Sequence, residues 1–445
     1  MGWYEESLVY QIYPLGALDA PQLNDGAGPV EHRLRALSGD AWLDHLERLG
    51  VGCVLLNPVC ESSGHGYDTR DWLAVDRRLG DACDLRAFVD ACHARGMRVL
   101  LDGVFNHVGR DFWAFADVRE RRGESPYASW FHIDWGADSP YGDGFAYGCW
   151  EGVDYLPRLN HDNLELNVYT GDVMRAWARE WGADGVRLDV AYCLPRGYLE
   201  YLRSVADELT AERGEEFVLV GETLHGDYNL WMGEKLCQSV TNYEAYKGLW
   251  SSLNERNMHE IAYTLSRQSG PHEWDLYADK HLLNFLDNHD VPRIATKLAD
   301  ARELPVAYGL LFGMRGVPCV YYGSEWGIEG EQHFGDYELR PAVAAPEWNE
   351  LTGWISALSA ARRGSAALVW GGYRQLAVGP ELLVFERAVE GERVIVAVNA
   401  SAERSVAHFD AGCGRAVDLI TGEEHDFGGG SELEPFSVAF WRCEC

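Results

Sequence analysis

The sequence predicts an α/β chain built on a parallel (β/α)8 TIM barrel, with a small domain inserted after strand 3 and a C-terminal antiparallel β-sandwich. Three observations carry this reading. Short runs rich in Val, Ile and Leu alternate with amphipathic helical patterns. Eight such runs occur, at 8–13, 51–58, 98–105, 185–190, 217–222, 238–242, 282–286 and 317–322, and eight units favour closure. Several of them end in polar side chains, which is how a closed parallel barrel assembles one site from separate strands.

The helices between the runs carry their own punctuation. Asp40 starts a helix through Leu43, Leu46 and Leu49 that stops at Gly50. Asp84 is read as the cap of a helix with Leu85, Phe88, Val89 and Cys92 on one face, ending at Gly96. Met174, Trp177 and Trp181 mark another, ending at Gly182. The connection from 106 to 171 breaks the rhythm: it is rich in aromatic, Gly and Asp residues without a sustained helical period. A connection of that length is usually a functional subdomain, and its aromatics suggest a folded lid. From about residue 366 the pattern turns to period-two strands at 382–386, 393–399, 416–419 and 438–441, separated by turn residues such as Gly391 and Gly428. The expected division is a barrel over 1–106 and 161–362, a lid over 107–160 and the sandwich over 363–445.

Composition narrows the partners. The 445 residues are 47% hydrophobic and 24% charged, an ordinary globular balance. Thirty-eight basic against seventy acidic residues leave a formal charge of −32, with Arg supplying most of the positive charge. Such a surface repels nucleic-acid phosphates and anionic lipid, so neither nucleic acid nor membrane is expected as a partner. The first six residues show no basic or apolar signal pattern, and no apolar run is long enough to cross a bilayer. The eleven cysteines follow neither a disulfide nor a zinc spacing. Residues such as Cys53, Cys92, Cys193 and Cys319 lie in apolar patterns, which points to buried reduced thiols and a cytoplasmic location. Cys443 and Cys445 come nearest to a pair and are read as an exposed tail.

Asp189, Glu222 and Asp290, at the ends of three different strands, are the candidate catalytic groups. A lone strand-end Asp is usually a cap or a turn former. Three unrelated ones, accompanied by two histidines and an arginine, exceed what capping requires. Glycosidic cleavage needs a carboxylate on one face of the sugar and a protonated acid on the other, about 5 Å apart in a retaining enzyme. Arg187 precedes Asp189 by two positions, so both point to one face of the strand, where the cation is expected to keep Asp189 ionised. Neighbouring negative charges are expected to raise Glu222 for the acid/base role. His65 and His161 are read as surface or hydrogen-bonded, and Glu325 as structural.

Four blocks in order, DGVFNH from Asp102, GVRLDV from Gly185, GET from Gly221 and DNHD from Asp287, resemble those of the α-amylase superfamily, glycoside hydrolase family 13. The run from Gly64 through Tyr67 to Thr69, and Leu156 to Asn160, resemble the neopullulanase and cyclomaltodextrinase branch. The resemblance implies Asp189 as nucleophile, Glu222 as acid/base and Asp290 as transition-state stabiliser. It implies His107, Arg187 and His289 as hydrogen-bond partners of the sugar, Tyr67 as the ring stacked on it, and Asp102 as an orienting group near Arg187. Where many relatives carry Lys-His after the nucleophile, this chain has Tyr192 and Cys193, so a histidine that helps hold calcium is missing. Asn106 alone does not make a calcium site, and no metal or cofactor is expected. Val190 after the nucleophile accompanies α-1,6 cleavage in related enzymes.

The leading expectation is a retaining α-glucan hydrolase acting on α-1,4 bonds of maltooligosaccharides, cyclodextrins or short dextrins, with α-1,6 cleavage left open. The alternatives are a transferase or phosphorylase of the same fold, acting for example on sucrose, and an inactive carbohydrate-binding barrel. Oligomeric state, linkage and chain length are also left open, the last two depending on loops such as 329–341.

Overall fold

In the computed structural model, residues 2–271, 275–277, 279–333 and 335–444 are described. All eight expected runs are strands: β1 (Val9–Ile12), β2 (Cys53–Leu56), β3 (Arg98–Gly103), β4 (Gly185–Leu188), β5 (Val218–Gly221), β6 (Ser239–Val240), β7 (Leu283–Phe285) and β8 (Val317–Tyr321). They hydrogen-bond in the order β6-β5-β4-β3-β2-β1-β8-β7 with every pairing parallel. A further parallel bridge, Thr241 to Leu283, joins the two ends and closes the cylinder.

The period of two decides what fills it. Val9, Cys53, Leu55, Leu100, Val218, Val220, Phe285 and Cys319 form one buried cluster inside the cylinder. Their alternates, among them Tyr10, Val54, Leu101, Val186 and Leu219, belong to the larger core under the helices. Gly185 permits the tight wall between β3 and β5, because a Cβ there would stand 2.3 Å from Val218 O and 2.6 Å from Leu100 Cδ2. Continuing up the inward positions leads from Leu100 to Asp102, from Gly185 to Arg187 and Asp189, and from Val220 to Glu222. The apolar plug therefore gives way to a charged layer at the C-terminal rim.

Helix boundaries differ from expectation at one cap. The second helix, Ala82–Ala94, is capped by Asp81, whose side chain accepts from Cys83 N and Asp84 N, while Asp84 returns a bond to Asp81 N. Asp84 is thus the reciprocal partner of a capping box rather than the cap itself. Gly50 and Gly182 end their helices at φ 87° and 82° as their left-handed geometry requires.

The long connection is folded and carries a helix the pattern did not reveal, Trp113–Arg121. Its hydrophobic face is short and aromatic, Phe115 with Phe131 and Tyr147, which hides the helical period. Two small hairpins follow, Ile133–Asp134 with Ala146–Tyr147 and Cys149–Trp150 with Val153–Pro157. The chain returns to the barrel through the helix Leu164–Ala176.

The C-terminal part is antiparallel: β9 (Gly372–Val378), β10 (Leu382–Val389), β11 (Glu392–Asn399), β12 (Arg415–Asp418), β13 (Glu424–Asp426) and β14 (Ser437–Cys443) make a six-stranded sheet. A two-stranded ribbon, Ser405–Ala407 with Ser431–Leu433, covers one face over Val384, Ile395 and Trp441. The other face, Phe385, Val396 and Phe440, joins the barrel core. Gly309 and Gly313 on a barrel helix allow that contact, since a Cβ would meet Val438 at 2.5 Å and Val396 at 2.9 Å.

Cys53, Cys92 and Cys319 are buried free thiols and Cys193 is half-buried. Cys443, read from the sequence as part of an exposed tail, is buried in the last strand beneath the ribbon. Cys445 lies outside the described residues. Among the described residues no helix is long and apolar enough to cross a membrane.

Candidate active site

The structure gathers Asp102, Arg187, Asp189, Glu222, His289, Asp290, His107 and Tyr67 at one end of the barrel. Arg187 is their hub. Its Nη1 donates to both oxygens of Asp102 at 2.7 Å and to Asp189 Oδ1 at 3.1 Å, and its Nη2 lies 3.0 Å from Glu222 Oε2. One guanidinium, 3% exposed, thus serves three buried carboxylates. That sharing sets the charges. Burial and the neighbouring Glu222 push Asp189 well above the usual carboxylate range despite the pull of Arg187. The sequence predicts that Arg187 keeps Asp189 ionised; shared among three carboxylates, it does not offset the burial of Asp189. Burial also raises Glu222, against the lowering effect of Arg187, with Asp290 adding to the rise. The two acids form a pair that holds on to a proton.

Glu222 gains a further donor from an unusual backbone. Val190 sits at φ 40°, ψ 46°, a conformation that is an outlier for a β-branched residue. The turn aims Val190 N at Glu222 Oε2, 2.8 Å away.

Asp290 is built differently. Burial pushes it up, but His289 and Arg340 outweigh that effect and hold it well below the ordinary range. His289 Nε2 is 3.0 Å from Asp290 Oδ2, and Arg340 Nη2 donates to Oδ1 at 3.1 Å. On the other side of the ring, Gln11 Nε2 and Asn57 Nδ2 stand 3.0 and 3.3 Å from His289 Nδ1. Asp290 keeps 38% of its side-chain surface open to the cleft, the most exposed of the three acids.

Tyr67 and His107 close the sides. The Tyr67 ring stacks on His289 at 5.5 Å, and its hydroxyl bonds His289 Nε2 and Asp102 Oδ2. His107 stacks on Trp150 at 5.3 Å. Burial lowers His107 to about 3, so it is neutral at working pH. Asn106 Nδ2 meets its Nδ1 at 3.1 Å. Its Nε2 is buried, has no hydrogen-bond partner among the described residues and lies 4.0 Å from Asp189 Oδ2.

These groups surround a cavity of about 430 Å3. Tyr67, His107, Asp189, Glu222 and Asp290 are on its wall, whereas Asp102, Arg187 and His289 form the layer behind it. The arrangement can place an ionised carboxylate, a protonated one and several fixed donors around one polar, uncharged ring.

A family model described as the alpha amylase catalytic domain matches residues 40–353. The chain belongs to the alpha-amylase family. Within that family, neopullulanase 2 of Thermoactinomyces vulgaris is 30% identical over 95% of this chain and 74% of its own length. A cyclomaltodextrinase of a Bacillus species is 28% identical over 89% of this chain and 73% of its own. Among solved structures, the cyclic alpha-maltosyl-(1→6)-maltose hydrolase of Arthrobacter globiformis superposes with a TM-score of 0.82 at 27% identity, each chain covered completely. Like these relatives, the chain is a glycoside hydrolase.

Several residues of this alpha-amylase site escaped the sequence reading. Asn57 donates to Tyr67 OH and Asp102 Oδ2, both at 3.0 Å. It stands at the end of the second apolar run, the signal that found the acids, and could have been found the same way. Arg340 and Asp336 on the wall come from the 329–341 loop, where nothing marks them locally. His65, read as a surface or hydrogen-bonded residue, also lines the cavity, and its Nε2 is buried without a partner among the described residues. His161 is hydrogen-bonded as expected, to Asn167 and to Phe105 O. Glu325 is structural, held by Tyr10 and His45.

Asn106 turns its Nδ2 to His107 Nδ1, and among the described residues the one convergent trio of His, Cys, Asp or Glu ligand atoms is elsewhere, at His32, Asp81 and Asp84. Those atoms are already engaged, His32 Nδ1 with Asp84 at 2.5 Å and Arg35 Nε with Asp84 at 2.7 Å.

Proposed function

We propose that the chain is a retaining α-glucan hydrolase of maltooligosaccharides, cyclodextrins and short dextrins, working in the cytoplasm and without a required metal. The observation that carries the proposal is the bridging of Asp189 and Glu222 by one buried guanidinium opposite a low-pKa Asp290. Two carboxylates brought to one site by a shared guanidinium supply the nucleophile and the acid of a covalent double displacement. The described cysteines are free thiols, most of them buried, which supports the cytoplasmic assignment.

In this reading an Asp189 oxygen bonds to the anomeric carbon while the bond to the leaving oxygen breaks. Glu222 gives its proton to that oxygen, which departs as a hydroxyl, and the glycosyl unit stays esterified to Asp189. Glu222, now ionised, takes a proton from an incoming water whose oxygen attacks the same carbon, and Asp189 leaves as a carboxylate. The two steps are electrostatically linked. As Asp189 becomes an ester, its charge is removed from beside Glu222, which lets Glu222 give up its proton. Asp290 stands by the developing positive charge and binds sugar hydroxyls. His107 Nε2 donates to a hydroxyl, Tyr67 covers the apolar face, and Asp102, Arg187 and His289 fix these groups from behind.

The named relatives act on cyclomaltodextrins and on a cyclic maltosyl-maltose, which supports bent α-glucans as substrates. The test is product and anomer analysis on maltose, maltotriose, isomaltose, panose, sucrose and cyclodextrin. Release of α-anomers of glucose or maltose is expected. β-anomers first, or turnover of sucrose alone, would overturn the proposal.

A further inference from the structure

The C-terminal sheet brings two cysteines to one arginine. Cys443 ends β14, where Ala416 of β12 is its partner on one side. On the other side, the register of Val394 with Arg442, continued by one residue, sets Arg393 of β11 beside it. Cross-strand partners share a face of an antiparallel sheet. Arg393, Cys443 and Ala416 therefore form a row on the face that the Ser405–Ala407 ribbon covers. Cys413 stands two residues before β12 and packs against the same buried cluster. Arg393 ties that segment down: its Nη2 donates to Ala411 O at 2.6 Å, and a Cβ on Gly412 would stand 2.9 Å from its Nη1.

The same guanidinium hydrogen-bonds both thiols. Burial pushes the Cys443 thiol up to about 12, and the Cys413 thiol beside it adds to the rise, against the pull of Arg393. Both cysteines are free; Cys443 is buried and Cys413 is half-buried, open in part to solvent. Two adjacent thiols, a cation touching both and access for a small oxidant are the conditions under which cysteines are oxidised selectively.

We propose that Cys413 and Cys443 are a disulfide-forming pair, a modification site that hydrogen peroxide closes and a thiol reductant reopens. Cys413, the more open of the two, meets the oxidant. Its thiolate sulfur bonds to one peroxide oxygen while the O–O bond breaks, and the hydroxide released takes up the thiol's proton as water. The sulfenic acid so formed is uncharged, which removes one of the causes that raise Cys443. Cys443 then gives up its proton, and its sulfur bonds to the Cys413 sulfur. The S–O bond breaks, and the departing hydroxide takes that proton as a second water. Two thiols thus lose two electrons in all, and one peroxide becomes two waters. The bond closes a loop that contains β12, β13, the ribbon strand Ser431–Leu433 and β14. It staples the sheet whose other face rests on the barrel at Gly309 and Gly313.

The test treats the full chain with hydrogen peroxide, alkylates the remaining thiols and maps the unreduced peptides by mass spectrometry. The expected product joins the Cys413 and Cys443 peptides, two hydrogens lighter than the separate pair, and dithiothreitol parts them. Cys413→Ser, a small change at a half-buried position, loses the product, whereas Cys445→Ser keeps it. In thermal melts the oxidised wild type unfolds several degrees above the reduced protein, as closing a loop of that length implies, and Cys413→Ser shows no such difference. Three results would each overturn the inference: both thiols still open to alkylation after peroxide, Cys413 oxidised to sulfinic acid without the link, or either cysteine joined to Cys445 instead.

Discussion

Val190 N donates to Glu222 Oε2 at 2.8 Å from a left-handed backbone, so the residue after the proposed nucleophile holds the proposed acid. Forcing a β-branched residue there costs on the order of 1–3 kcal/mol, which the surrounding barrel must offset. The two acids are thereby linked twice, through this amide and through Arg187.

The roles of the two acids separate on activated substrates. Glu222→Gln loses about 10²–10⁴ in kcat on maltotriose, the usual worth of a general acid. On α-maltosyl fluoride, whose leaving group needs no proton, formation of the glycosyl-enzyme survives and a burst of fluoride appears. Asp189→Asn loses both reactions. Fluoride release from Asp189→Asn at the wild-type rate would reverse the assignment.

Asp290 shapes the pH profile. Its negative charge is one cause of the raised Glu222. Removing it in Asp290→Asn lets the proton leave at lower pH, so the alkaline limb of kcat/KM moves down even as the rate drops. An unmoved limb in a pH series would show that Asp290 and Glu222 are electrostatically independent.

Stability carries a second titration, away from the site. Burial, with Asp300 next, raises Glu303 to about 7, and its Oε2 is buried with no hydrogen-bond partner among the described residues. A folded pKa above the unfolded value means that the folded state binds the proton more tightly. The stabilisation is complete below about 4.3, the unfolded value for a glutamate, and is lost as pH rises through about 7. Glu303→Gln removes the dependence. Thermal melts should show the variant gaining on the wild type between pH 5 and 8; parallel curves would contradict the assignment.

The surface charge sets a salt dependence. A formal charge of −32 with four lysines, Lys235, Lys247, Lys280 and Lys297, is self-repelling. The Debye length shrinks from about 10 Å at 0.1 M salt to about 3 Å at 1 M, so Tm rises with potassium chloride over that interval. A falling Tm would mean that the many exposed ion pairs, such as Arg175 with Glu208, outweigh the repulsion.

What was legible from residue order followed from local periodicity. Apolar runs, and a polar residue at the end of several of them, are properties of a few consecutive side chains. They located all eight barrel strands and the acids Asp189, Glu222 and Asp290. The same reading failed where the signal was weak or short. The helix Trp113–Arg121 hid in an aromatic-rich segment, and Asp84 looked like a cap because its true partner Asp81 stands three residues earlier.

Residue order alone therefore established the barrel and the acids that rim it, because period-two burial turns strand ends toward a common axis whatever lies far away. Only the three-dimensional fold decided how one arginine is divided among Asp102, Asp189 and Glu222. It also decided that Arg340 crosses from a distant loop to Asp290, and that Cys413 comes to lie beside Cys443. Each of these depends on separations between segments far apart in the chain, and Coulomb interactions and packing respond to distance in space, which no local pattern encodes.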